Sequence, residues 1–116
     1  MLTDDARYRI LKALEANPGI SQRELADELG VSLGKINFCL KALIEKGMIK
    51  ARNFSQSSHK RRYLYVLTPA GIESRAALTR GFLSRKIAEY DALKAEIEEL
   101  RREVALDDGA VRQVKP

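Results

Sequence analysis

The sequence predicts a mainly α-helical fold with a small β-hairpin wing: a winged helix-turn-helix domain followed by a long C-terminal helix that dimerises. Three observations predict it. Residues 22–41, QRELADELGVSLGKINFCLK, set Ala26, Gly30 and Ile36 at the spacings that a helix-turn-helix requires. Two β-rich runs, 48–54 and 62–67, flank the polar stretch SQSSHKR and read as a hairpin. From LTPAGIE at 67–73 onward, nothing stronger than Gly71 and Gly81 opposes a helix until about Val104. The organisation expected is a DNA-binding domain over 1–68, a dimerisation helix over 69–106 and a flexible tail over 107–116.

The elements follow in order from their caps. Thr3, with Asp4 and Asp5 behind it, suits the start of a helix carrying Ala6, Ile10, Leu11 and Leu14, which stops near Asn17, Pro18 and Gly19. Ser21 followed by Glu24 forms a capping box ahead of Leu25, Ala26 and Leu29. Ala26 is small enough for a second helix to cross closely, and Gly30 supplies the left-handed position that turns the chain. Ser32 then caps the second motif helix. Its buried stripe is Ile36, Leu40 and Leu43, flanked by Leu33, Cys39 and Ile44, which leaves Gly34, Phe38 and Lys41 facing out beside Lys35 and Asn37. An ordinary helical hairpin would use similar caps; here the caps, the small residue and both apolar stripes agree in register.

Length and charge narrow the class. A chain of 116 residues has room for one small domain and one extra element. No run is apolar enough for a membrane span, and MLTDDARYR lacks a signal-peptide core, so a soluble intracellular protein is expected. Cys39 is the single cysteine, which leaves no intramolecular disulfide and no cysteine-based metal site. The net charge of +5 is unevenly placed. Residues 33–62 hold eight basic side chains against one acidic, whereas residues 87–108 hold three basic against eight acidic. A basic patch confined to the second motif helix and its hairpin is the footprint expected of nucleic-acid contact.

Arg52 on the outgoing strand, with Lys60, Arg61 and Arg62 on the return, would meet the phosphate backbone or the minor groove beside a wing tip expected to be mobile. Thr68 caps the long helix and Pro69 takes its first position. Leu83, Tyr90, Ile97 and Val104 recur every seven residues with Leu93 and Leu100 interleaved, the a and d positions of a coiled coil. Ile72 and Ala76 continue this frame, Thr79 and Lys86 weaken it, and Leu78 and Phe82 lie on another face, suited to packing back on the winged domain. Glu89 and Glu96 at g face Lys94 and Arg101 at e only if two copies pair parallel and in register. The competing reading is one amphipathic helix lying on its own domain.

The site residues expected for DNA are therefore Ser32, Gly34, Lys35, Asn37, Phe38 and Lys41 on the motif helix, and Arg52, Lys60, Arg61 and Arg62 on the wing. Those for the homodimer are Leu83, Tyr90, Leu93, Ile97, Leu100 and Val104. Lys35, Asn37, Phe38 and Lys41 are expected to reach base edges or flanking phosphates. Phe38 either touches thymine methyls or packs under the wing. Cys39 reads as a small core residue with no resolving partner, and His59 as a polar loop residue lacking a second ligand of its type. No catalytic constellation, cofactor or metal site is expected. The alternative function is a winged-helix protein-interaction module acting through the long helix.

The order of elements, with LIEKGMIK at 43–50 and LTPAGIE at 67–73, resembles the MarR family of winged-helix transcription regulators. The wing sequence and RKIAEYDALKAEIEELRREV at 85–104 are similar to its EPS-associated subfamily, named for a link to exopolysaccharide gene clusters. The resemblance implies a bacterial cytoplasmic regulator, nucleoid-associated when bound, that represses genes from a pseudo-palindromic operator on double-stranded DNA as a homodimer. Ordinary family members add an N-terminal helix that intertwines with C-terminal helices and helps frame an effector pocket. This sequence starts at the first helix of the winged domain, so dimerisation is expected to rest mainly on the last helix.

Overall fold

Each helix of the N-terminal half begins at a side chain that satisfies its own first turn. In a computed structural model, which describes residues 2–57 and 60–114 with the side chains of 54–62 and 112–114 excepted, the order is α1 (Asp4–Ala16), α2 (Gln22–Leu29), α3 (Leu33–Glu45), β1 (Ile49–Ser57), β2 (Lys60–Leu67) and α4 (Pro69–Val114). The Thr3 hydroxyl accepts from the Ala6 N–H at 3.1 Å, Ser32 from Lys35 at 3.1 Å and Thr68 from Gly71 at 3.1 Å. At α2 the capping box is complete: Ser21 accepts from the Glu24 N–H at 3.0 Å, and Glu24 Oε1 accepts from the Ser21 N–H at 3.4 Å. Such caps contribute about 1 kcal/mol each.

Gly30 ends α2 at φ 69°, ψ 34°, and the Val31 N–H reaches back to the Ala26 carbonyl at 3.0 Å. A left-handed residue there costs any side chain, so glycine fixes the turn into α3. Arg9 Nη2 donates to the Leu29 carbonyl at 3.2 Å, setting a cation against the C-terminal end of α2. Around these helices sits one core: Ile10, Leu11 and Leu14 from α1, Leu25, Ala26 and Leu29 from α2, and Ile36, Cys39, Leu40 and Leu43 from α3, closed by Ile20, Ile49 and Tyr65. Cys39 lies within it as a packed side chain.

β1 and β2 pair antiparallel from Ile49 opposite Leu67 to Ser57 opposite Lys60, with an irregularity between Ser55 and Ser57. The Tyr65 N–H donates to the Pro18 carbonyl at 3.2 Å, which ties the hairpin to the turn after α1. The strands run further than the sequence suggested, since residues 55–57 and 60–61 belong to the ladder and only 58 and 59 separate them. Polar residue types alone do not separate the strands of such a ribbon from a loop. The expected mobile tip, with His59, lies outside the described residues.

Gly71 in the first turn of α4 has a positional reason. A Cβ there would run into the Met48 carbonyl, so glycine lets α4 start against the turn after α3, where the Thr68 N–H also donates to Met48 at 3.0 Å. Arg75 pairs with Glu15 of α1, Nε to Oε2, at 2.5 Å. The first turns of α4 thus belong with the winged unit. The chain divides into Met1–Arg80 and Gly81–Pro116, and the contacts to Met48 and Glu15 bind those turns to the winged unit. Residues 107–114, where a loose tail was expected, continue the helix. Asp107 to Val114 contain no proline, and once a helix is running each further residue adds a hydrogen bond without new nucleation, so Gly109 alone does not stop it. In the second unit Leu83, Tyr90, Leu93, Ile97, Leu100, Val104 and Val111 are all exposed, Arg85 lies over the Phe82 ring at 4.6 Å and Lys86 pairs with Glu89 at 3.2 Å.

Candidate nucleic-acid interface

α3 has two faces that the sequence separates cleanly. Ile36, Cys39, Leu40 and Leu43 point into the core, while Gly34, Lys35, Phe38 and Lys41 are exposed on the other side. Phe38 is 53% exposed. An added Cβ at Gly34 would meet nothing within 4 Å. Packing inside the chain does not call for glycine there, and its bare backbone leaves the first turn of α3 open to close approach by a ligand. Ser32 spends one hydroxyl lone pair on its cap; its proton stays available to donate to an anion.

Asn37 stands apart from these residues. It is half-buried, and its Nδ2 donates to Gln22 Oε1 at 3.3 Å. Gln22 Nε2 in turn donates to the hydroxyl of Tyr65 at 2.9 Å. The tyrosine ring is buried in the core and stacks on the exposed ring of Tyr63, centroids 6.4 Å apart. α2, α3 and β2 therefore share one polar chain running outward from the core. Gln22 and Tyr65 are the residues that reading the sequence missed. One signal was available: a tyrosine at a buried strand position needs a partner for its hydroxyl.

Arg52 is exposed on β1 opposite Leu64. Lys60, Arg61 and Arg62 stand on β2 opposite Ser57, Ser55 and Phe54, but their side chains lie outside the described residues. The structure thus gathers Gly34, Lys35, Phe38 and Lys41 on one exposed helix face, adds Asn37 at its edge and sets Arg52 on the hairpin. The expected dimer residues all fall in the second unit.

Residues 3–50 match the family model described as winged helix-turn-helix DNA-binding. The chain carries a winged helix-turn-helix. Solved structures share this fold over most of its length. MepR, a transcription regulator of the Staphylococcus aureus multidrug efflux pump MepA, matches at TM-score 0.62 and 21% identity over 90% of this chain and 77% of its own. A MarR/EmrR family transcriptional regulator from Acinetobacter sp. ADP1 matches at 0.57 and 26% identity over 84% and 73%. Streptococcus pneumoniae FabT, solved in complex with DNA, matches at 0.61 and 18% identity over 94% and 76%. No curated protein matches the sequence. Among the described residues no helix is long and apolar enough to cross a membrane.

Proposed function

We propose that this winged helix-turn-helix protein is a MarR-type transcriptional regulator that binds double-stranded DNA sequence-specifically as a homodimer. The observation that carries the reading is the exposed face of α3, where Lys35, Phe38 and Lys41 stand opposite a fully buried stripe, within a run of eight basic side chains against one acidic. In this reading α3 enters the major groove with Lys35, Asn37, Phe38 and Lys41 toward base edges or flanking phosphates, while Arg52, Lys60, Arg61 and Arg62 hold the backbone or the minor groove alongside. The resemblance to the EPS-associated group supports repression of exopolysaccharide-related genes in the bacterial cytoplasm. Transcript levels in a deletion strain check that part.

The test of DNA binding is selection of bound fragments from the source genome at fixed salt, followed by titration across salt concentrations. Counterion release makes the logarithm of affinity fall linearly with the logarithm of salt, with a slope of about −0.9 per phosphate neutralised. No enriched fragment, or binding indifferent to salt, would overturn the reading.

The second copy is met by α4. Tyr90, Leu93 and Ile97 form an exposed apolar stripe beside Lys94, Glu98 and Arg101, and Val111 continues the a series beyond Val104. In a parallel pair Glu89 faces Lys94 and Glu96 faces Arg101 of the other chain. Glu103 would face Asp108, and Asp107 would meet its own copy at d, so the pairing is strongest upstream of Val104. The same open seam also suits the alternative, a protein-interaction module. Sedimentation of the purified chain alone separates the two, since only self-association gives a dimer without a second component.

A further inference from the structure

We infer that Gln22 and Tyr65 are positioning residues that preset the amide of Asn37 to read an adenine. This rests on the DNA-binding reading above. An asparagine amide turns freely about its last torsion, whose preferences are broad. Turned one way it offers an acceptor where, turned the other way, it offers donors, so an unpinned amide discriminates poorly between bases. Here it is pinned. The Nδ2 group of Asn37 gives one hydrogen to Gln22 Oε1 at 3.3 Å, and Gln22 is held by the Tyr65 hydroxyl at 2.9 Å. Tyr65 itself is fixed by burial in the core and by its own N–H to the Pro18 carbonyl at 3.2 Å.

The pinned hydrogen is one of two on Nδ2. The chemistry that remains to Asn37 is the Oδ1 acceptor and the second N–H, and this acceptor–donor pair complements the N6 amino group and N7 of adenine in the major groove. Cytosine and thymine offer no such adjacent pair, and guanine offers two acceptors. Lys35 and Lys41, exposed and charged, serve any sequence; Asn37 selects. The selection depends on a side chain of α2 and a strand residue that need not touch DNA themselves.

A purely structural role for the same hydrogen bonds would lower stability and weaken binding to all DNA alike. A positioning role changes discrimination at one base pair. The test uses the full chain and an operator obtained by selection, and measures affinity for the four base pairs at every position at fixed salt, with affinity for random DNA and thermal stability alongside. Asn37→Ala should lose an adenine preference of roughly 5- to 150-fold at one position in each half-site. Gln22→Met, similar in length but without hydrogen-bonding groups, should lose the same preference while random DNA is bound as before, and the double variant should lose no more. Tyr65→Phe should give a smaller loss at the same position. Gln22→Glu, which still accepts from Asn37 and from the tyrosine hydroxyl, should keep the preference while its added charge lowers affinity for every sequence. Retention of the adenine preference in Gln22→Met, or no change of preference in Asn37→Ala, overturns the inference while DNA binding stands. A wild-type chain that binds no DNA overturns the functional reading instead.

Discussion

Residues 10–43 and residues 83–111 are both rich in helix and both carry apolar side chains at helical spacing, yet one set is buried and the other stands open. Ile10, Leu11, Leu14, Leu25, Ile36, Leu40 and Leu43 are at most 2% exposed, whereas Leu83, Tyr90, Leu93, Ile97, Leu100 and Val104 range from 42% to 64%. Periodicity states that a face must be covered; connectivity decides whether the chain can cover it. Short turns at Asn17–Ser21 and Gly30–Ser32 fold α1, α2 and α3 onto one another, and each buried leucine or isoleucine then stabilises the fold by about 1.5–3 kcal/mol. The second unit is a single helix with no turn among the described residues to bring its face home, and the proposed homodimer is the reading that covers its seam.

The largest effect should come from breaking the self-sufficient side. Leu43→Ala removes a fully buried side chain and should cost about 2–5 kcal/mol, read as a lowered urea midpoint in chemical unfolding. The open side should respond differently. Ile97→Asp places a charge on the proposed seam and should convert dimer to monomer in sedimentation, while the unfolding transition of the winged unit is retained. A variant still dimeric at micromolar concentration would remove α4 as the interface.

Much of this contrast was legible in the sequence. The caps at Thr3, Ser21, Ser32 and Thr68 and the turn at Gly30 obey rules that reach three or four residues along the chain, and the structure has each of them. Local rules explain the misses as well. Gln22 and Tyr65 are 43 residues apart, and Gln22 and Asn37 are 15 apart, so no spacing announces their bond. Gly71 reads as a weak point in a helix until the Met48 carbonyl is seen against it. The helical 107–114 were hidden by a polar Asp107–Asp108 that breaks the apolar pattern without breaking the backbone.

Smaller effects sharpen the comparison. Ser21→Ala removes the capping box that starts α2 and should lower stability by about 1 kcal/mol, seen as a shifted unfolding midpoint with unchanged slope. In α4, Glu96→Lys should weaken dimerisation by at most about 1 kcal/mol per exposed pair, and adding Arg101→Glu should restore it. Restoration is expected only for parallel helices in register. An antiparallel pair would instead gain from Glu96→Lys alone, because acidic g positions then face each other, and sedimentation equilibrium of the two variants distinguishes these outcomes.

The central claim is that the exposed face of α3 reads DNA sequence, and the measurement closest to it is a titration of the selected operator against random DNA at one salt concentration. Wild-type protein is compared with Lys35→Ala, Lys41→Ala and Asn37→Ala. The account predicts that wild type prefers the operator by roughly 1,000-fold or more. The lysine variants should bind both DNAs more weakly, and Asn37→Ala should narrow the gap between them. Equal affinity of wild type for operator and random DNA, or variants of α3 that bind both as wild type does, would contradict it.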